Sequence, residues 1–302
     1  MNIGFIGLGN MGGPMATHLL EAGHTLVCHD LRRQAATPLL EMGATWADTP
    51  EAVAQASEIT FTSLPAPRDV EEVALGEQGI LRGGAPGSVY IDLSTNYPAV
   101  VRRIHDACRE RGMHMLDAPV SGGVPGARTR DLGVFVGGDE AVYRRCKPVL
   151  DTIGDKVYYT GAIGTGTICK LVSNAIGFVY TQTLIEGFTL GVKAGVDPQS
   201  LWEAVRRSAV GRGTMLHRMP QHLFQGNFEP SFALKLARKD IGLALDLARE
   251  YQVPVELMVL TEQRLVAALN RGWGEKDSTI AMVPQEERAG VQLRVPPFEP
   301  EA

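Results

Sequence analysis

Near the amino terminus, Gly7-Leu8-Gly9-Asn10-Met11-Gly12 sets three glycines in a Gly-x-Gly-x-x-Gly frame. The frame follows an apolar run, residues 3–6, and opens a helical pattern, residues 11–22, which is the context in which such glycines handle phosphate. Gly7 permits the tight turn, Gly9 lets backbone N–H groups approach a pyrophosphate, and Gly12 lets helix and strand pack closely. The helix N-terminus offers its positive dipole end to an anion. A second apolar run, residues 25–29, ends at Asp30, 18 residues past Gly12, where a carboxylate accepts hydrogen bonds from an adenosine ribose. That arrangement favours NAD. Arg32 and Arg33 follow within three residues, and a guanidinium fork suits a 2′-phosphate, so NADP stays open.

Two further groupings carry reactive atoms. Ser121, Gly122 and Gly123 end the apolar run 113–120 and offer a hydroxyl with unshielded backbone N–H groups, which suits a carboxylate. Lys170 and Asn174 stand four residues apart, so both project from one helical face. By residue type alone such a pair is a solvated helix surface. The amine becomes a usable base only where burial or a nearby charge lowers its pKa from about 10.4. Leu64 and Pro65 end the run 59–63, and Ser94 and Thr95 end the run 88–93.

Short apolar runs at 3–6, 25–28, 59–63, 88–92, 113–117, 132–136 and 157–160 alternate with helical periodicity. This predicts βαβ units in a doubly wound sheet of parallel strands, with its ligand crevice at the carboxyl ends of the strands. From residues 161–166 onward long helices take over: 167–194, near 28 residues and so roughly 42 Å long, then 198–208, 215–224, 232–251 and 254–271. Gly195 reads as a C-cap, and Asp197-Pro198 as the start of the next helix. The expected fold is α/β: an N-terminal Rossmann-type sheet, residues 1–163, binding a dinucleotide, joined by a long helix to an all-α domain, residues 164–290, for substrate and oligomerisation. Residues 291–302 read as a loose tail.

The 302 residues are 44% apolar and 21% charged, a globular composition, and the net charge of −5 leaves no footprint for nucleic acid or an anionic membrane. The four cysteines form no C-x-x-C and the seven histidines no H-E-x-x-H, so neither a disulfide framework nor a metal site is expected. Residues 168–196 are interrupted by Lys170, Asn174, Gln182, Glu186 and Lys193, so no membrane span is expected. The amino terminus runs at once into the glycine loop without a basic stretch, which points to a cytoplasmic protein. An apolar helical half predicts a homodimer or homotetramer.

The opening G-L-G-N-M-G-G-P-M-A resembles that of the β-hydroxyacid dehydrogenases, the group containing 3-hydroxyisobutyrate dehydrogenase and tartronate semialdehyde reductase. Three more segments agree in order and spacing: D-A-P-V-S-G-G at 117–123 with Gly126-Ala127, G-T-G-T-I-C-K-L-V-S-N at 164–174, and K-D-I-G-L-A at 239–244. The resemblance covers about residues 1–285 and implies hydride transfer between a nicotinamide cofactor and the alcohol of a small 3-hydroxy acid. It implies that Lys170 is the general acid/base, that Asn174 holds the reacting oxygen or orients the ammonium, and that Ser121, Gly122 and Gly123 bind the substrate carboxylate. Phe232 would approach the substrate, Lys239 and Asp240 the cofactor and the lysine, Ser94 and Thr95 the ribose or nicotinamide, and Leu64 and Pro65 the adenosine side. Where many relatives carry Gly-Thr, this chain has Arg130-Asp131, which leaves the substrate unnamed. The alternatives are an NADPH-dependent reductase of succinic or tartronate semialdehyde and, from another class, a dinucleotide-binding protein without turnover.

Overall fold

The structure, a computed structural model, describes residues 1–211, 222, 224–290 and 292. Its strands are β1 (Asn2–Ile6), β2 (Thr25–His29), β3 (Thr45–Trp46), β4 (Ile59–Thr62), β5 (Val89–Asp92), β6 (His114–Asp117), β7 (Val120–Ser121), β8 (Gly133–Gly138) and β9 (Lys156–Gly161). They form one sheet in the order β3-β2-β1-β4-β5-β6-β8-β7, with β9 on β8. The first six strands are parallel and run in the Rossmann order. Every residue of β4 and β5 is buried, Thr60, Thr62 and Asp92 included, as in strands covered on both faces. Phe5, Phe61 and Ile91 pack into the core on one face and Tyr90 into the core on the other.

The sheet is not parallel throughout. β8 pairs antiparallel with both β6 and β7, because the chain reverses at Gly122 (φ 142°) and Gly123 (φ 63°) and enters the short helix Gly123–Thr129. β3 and β7 were not anticipated: two residues are too few to display alternation.

The chain divides into two compact units, Met1–Ile176 and Gly177–Ala302, the division falling within the helix Thr165–Lys193. In the second unit lie the helices Pro198–Arg207, Leu234–Glu250, Glu256–Leu269 and Val283–Ala289, and a 3₁₀ turn, Ser278–Met282. The last helix and the 3₁₀ turn were not expected. The expected helix 215–224 falls, apart from His222 and Phe224, outside the described residues, as does the tail apart from Gln292. Gly195 takes φ 96° and ends the long helix with Val196 N–H donating to Gly191 O, while Asp197 caps the next helix by accepting from Ser200 N–H.

By length and composition alone, Thr165–Lys193 can cross a membrane. The expectation of no such segment rested on Lys170, Asn174, Gln182, Glu186 and Lys193, whereas residues 171–185, between the first two charges, carry none. Within the protein its first turn packs on the sheet, and Glu186 near its far end accepts from Leu257 N–H and Met258 N–H at the start of Glu256–Leu269.

Candidate active site

The parallel register aligns five strand ends. His29 pairs with Ile6, Ile6 with Thr62, Thr62 with Asp92, and Asp92 with Asp117. The segments that leave the sheet along this edge therefore carry Asp30, residues 7–12, Leu64 and Pro65, Ser94 and Thr95, and the stretch 118–123. The fold thus gathers at one edge residues that lie more than a hundred positions apart in the chain.

At the first glycine turn, Gly7 has φ 91°, and a Cβ there would lie 2.4 Å from Ser63 O. A Cβ on Gly12 would lie 1.9 Å from Gly7 O, so helix Gly12–Glu21 can seat against the turn only as glycine. Gly9 faces open space, leaving its backbone approachable. Leu8 is buried, Met11 partly so, and Asn10 exposed. Asp30 is tied into this turn: its Oδ2 accepts from Leu8 N–H at 2.7 Å and its Oδ1 from Arg32 N–H at 2.8 Å. Each oxygen keeps a lone pair for a ribose hydroxyl. Arg32 extends into solvent with Nε 3.8 Å from Asp30 Oδ1, and the Arg33 guanidinium lies over the Trp46 ring, 5.3 Å from its centroid. An open approach at Gly9, a helix N-terminus and a held carboxylate fit a dinucleotide.

On the neighbouring strand ends, Ser94 Oγ accepts from Leu64 N–H at 2.9 Å, joining the two loops. Asp92 organises them from below. Its Oδ1 accepts from Thr62 Oγ1 and Ser94 N–H, its Oδ2 from Asn96 Nδ2, and Tyr90 OH meets Thr62 Oγ1. Burial pushes the Asp92 carboxyl above its ordinary value, though these hydrogen bonds favour the ionised form. Thr95 is exposed.

Within the turn at Ser121, Gly122 and Gly123, Ser121 and Gly122 line a hollow of about 380 Å³ that Thr129, Asp131, Lys156 and Tyr158 also line. Gly122 is obligatory, since a Cβ would lie 2.5 Å from Asp131 O. Arg130 takes a left-handed φ of 66°, and Asp131, which lines the hollow, pairs with Lys156 at 2.5 Å.

Lys170 and Asn174 both lie on the connecting helix, inside the first unit and half-buried. Burial draws the Lys170 ammonium below the ordinary lysine value. Phe232, Lys239 and Asp240 belong to the second unit. Phe232 donates its N–H to Asp277 Oδ2, and Lys239 pairs with Asp240 at 2.9 Å on an exposed helix surface. Sequence reasoning missed Asp92 and Asp117, whose signal is a carboxylate closing an otherwise apolar strand. Among the described residues no group of three or more His, Cys, Asp or Glu could hold a metal ion.

A Rossmann sheet carrying a dinucleotide loop, followed by a helical unit, defines a nicotinamide-dependent oxidoreductase class. Residues 2–161 match the family described as the NAD binding domain of 6-phosphogluconate dehydrogenase, and residues 164–284 that described as NAD-binding of NADP-dependent 3-hydroxyisobutyrate dehydrogenase. The chain is 35% identical to 2-(hydroxymethyl)glutarate dehydrogenase of Eubacterium barkeri over 97% of both chains. It is 37% identical to 3-hydroxyisobutyrate dehydrogenase of Pseudomonas aeruginosa over 86% of this chain and 89% of that one. Among solved structures, 3-hydroxyisobutyrate dehydrogenase of Mycobacterium tuberculosis with L-serine is similar at TM-score 0.65 and 29% identity, covering 94% of this chain and 98% of that one. The chain belongs to the β-hydroxyacid dehydrogenase family.

Proposed function

We propose that this enzyme oxidises the primary alcohol of a small acid of the form HOCH₂–CH(R)–COO⁻ to the aldehyde, with NAD as acceptor. The observation that carries the reading is Lys170, a half-buried amine with a lowered pKa, on the helix whose first turn is bound to the strand edge that bears the dinucleotide loop. The substrate form is common to the compounds named for the relatives: 3-hydroxyisobutyrate, 2-(hydroxymethyl)glutarate and L-serine each carry a CH₂OH one carbon from a carboxylate.

Residues 7–12, Asp30, Leu64, Pro65, Ser94 and Thr95 would hold the dinucleotide, whose nicotinamide, when bound, supplies the hydride acceptor. Ser121 Oγ with the Gly122 and Gly123 N–H groups holds the substrate carboxylate. Lys170 Nζ takes the hydroxyl proton as the C–O bond gains carbonyl character, and returns it in the reverse direction. The Asn174 amide, which both donates and accepts, orients the alcohol oxygen. NAD is favoured because Asp30 is held by two backbone N–H groups and cannot swing away from a 2′-phosphate it repels. The NADPH-dependent semialdehyde reductase is the second reading, supported by the solvent-exposed Arg32 guanidinium, paired with that carboxylate at 3.8 Å.

We further propose a homo-oligomer, since Ile176, Phe178 and Val179 expose apolar side chains on one helix, and a cytoplasmic location, which the four free cysteines suit. The test is a panel of 3-hydroxy acids with NAD and NADP, read as nicotinamide absorbance. Lys170→Ala should lower kcat at least about a hundredfold. Full activity in that variant, or a silent panel with dinucleotide bound, removes the reading.

A further inference from the structure

We propose that Asp117 is a positioning residue for the reaction, holding the helix that carries Lys170 at a set place against the loop that carries Ser121. A helix start normally satisfies its free N–H groups with the side chain of its own N-cap residue. Here the N-cap position is Gly164, whose carbonyl accepts from Ile168 N–H and which has no side chain to lend. Its φ of 90° is one that few other residues adopt.

The missing acceptor comes from another strand. Asp117, at the end of β6, is 1% exposed, and its Oδ1 accepts from Gly164 N–H and its Oδ2 from Thr167 N–H, both at 2.7 Å. Both oxygens receive donors, which favours the ionised form against the burial that pushes this carboxyl above its ordinary value. Two glycines make the contact incompressible. A Cβ on Gly166 would lie 2.2 Å from Phe135 O and 2.7 Å from Asp117 O, and a Cβ on Gly137 would lie 2.5 Å from Asp117 Oδ1. Lys170 follows Thr167 by three residues, one turn along the same face. Ser121 follows Asp117 by four, through buried Ala118 and Val120, and is pinned to β8 opposite Gly133. One carboxylate therefore sets the separation between the amine and the carboxylate-binding loop without touching substrate. A displacement of about 1 Å at a reacting centre costs about a hundredfold in rate.

The inference rests on the proposed role of Lys170, so three variants of the full chain are compared. Asp117→Asn keeps the shape but sets an amide NH₂ against an N–H donor. Gly166→Ala shifts the helix while leaving the carboxylate in place. Lys170→Ala tests the underlying role. With the hydroxy acid turned over best in the panel, both positioning variants should lose kcat by about a hundredfold, while NADH affinity, followed by fluorescence, stays at the wild-type value because residues 7–12 and Asp30 are untouched. Wild-type kcat in either one, a fall in NADH affinity parallel to kcat, or failure of both to fold overturns the proposal, the last by making Asp117 a residue of the fold alone. An active Lys170→Ala defeats the role of the lysine, whereas an inactive one beside a fully active Asp117→Asn defeats only that of Asp117.

Discussion

At the scale of single residues, the chemistry turns on what burial does to an amine and on what two N–H groups do to a carboxylate. Burial disfavours the charged form of Lys170, so it titrates below an ordinary lysine. To accept a hydroxyl proton the amine must be neutral, and to donate one it must be charged. Oxidation measured as kcat/KM should therefore rise with pH through this ionisation, and reduction should fall across the same window. Parallel pH–rate series in the two directions check this, and slopes of equal sign would contradict it. Asp30 acts through position: Asp30→Ala removes both the acceptor for Leu8 N–H and the acceptor offered to a ribose. A hydrogen bond to a charged group contributes about 1.5–3 kcal/mol, so NADH should bind at least about tenfold more weakly and the discrimination against NADPH should shrink by a similar factor. Titration of the variant with each dinucleotide measures both.

At the scale of elements, another buried carboxylate organises the helical unit as Asp92 and Asp117 organise the first. Asp277 is fully buried. Its Oδ2 accepts from Ser231 N–H, Ser231 Oγ and Phe232 N–H, and its Oδ1 from Thr279 N–H and Thr279 Oγ1. It fixes the approach to helix Leu234–Glu250 and the 3₁₀ turn Ser278–Met282 together. Burial alone would raise its pKa, but the hydrogen bonds from Thr279, Phe232 and Ser231 outweigh burial and hold it well below the usual carboxylate range. A depressed folded-state pKa stabilises fully above the unfolded carboxylate value of about 4 and loses that stabilisation as pH falls below it. Asp277→Asn should cost roughly 2–4 kcal/mol near neutrality, because an amide cannot serve that set of donors. It should also flatten the acid limb of the stability curve. Urea unfolding at neutral and acid pH reads both effects, and an unchanged acid limb would count against this account.

At the scale of the whole molecule, the connecting helix is the exposed liability. Phe178 is 70% exposed and Ile176 61%, within a 15-residue uncharged stretch, residues 171–185. Apolar area of this kind in water is a driving force for association, at about 25 cal/mol per Å² buried. Light scattering should find a dimer or tetramer at micromolar concentration, and Phe178→Glu should shift the population toward monomer by setting a charge in the apolar patch. A wild-type monomer at that concentration would falsify the oligomeric reading.

Much of the fold and site was legible in the chain itself because its determinants are local. The glycine frame, Asp30, the buried strands β1, β4 and β5, and the caps at Gly195 and Asp197 each follow from side-chain volume, backbone freedom or periodicity within a few neighbours. Tertiary structure decided what depends on distant partners. The direction of β8 follows from a reversal at two glycines, and β3 and β7 exist only as partners of longer strands. The burial that lowers the Lys170 pKa, and the pairing of Asp117 with an N-cap that has no side chain, arise only when strand ends and helix start meet. A sequence displays a carboxylate or an amine; the water removed from it and the donors brought to it are properties of the packed chain.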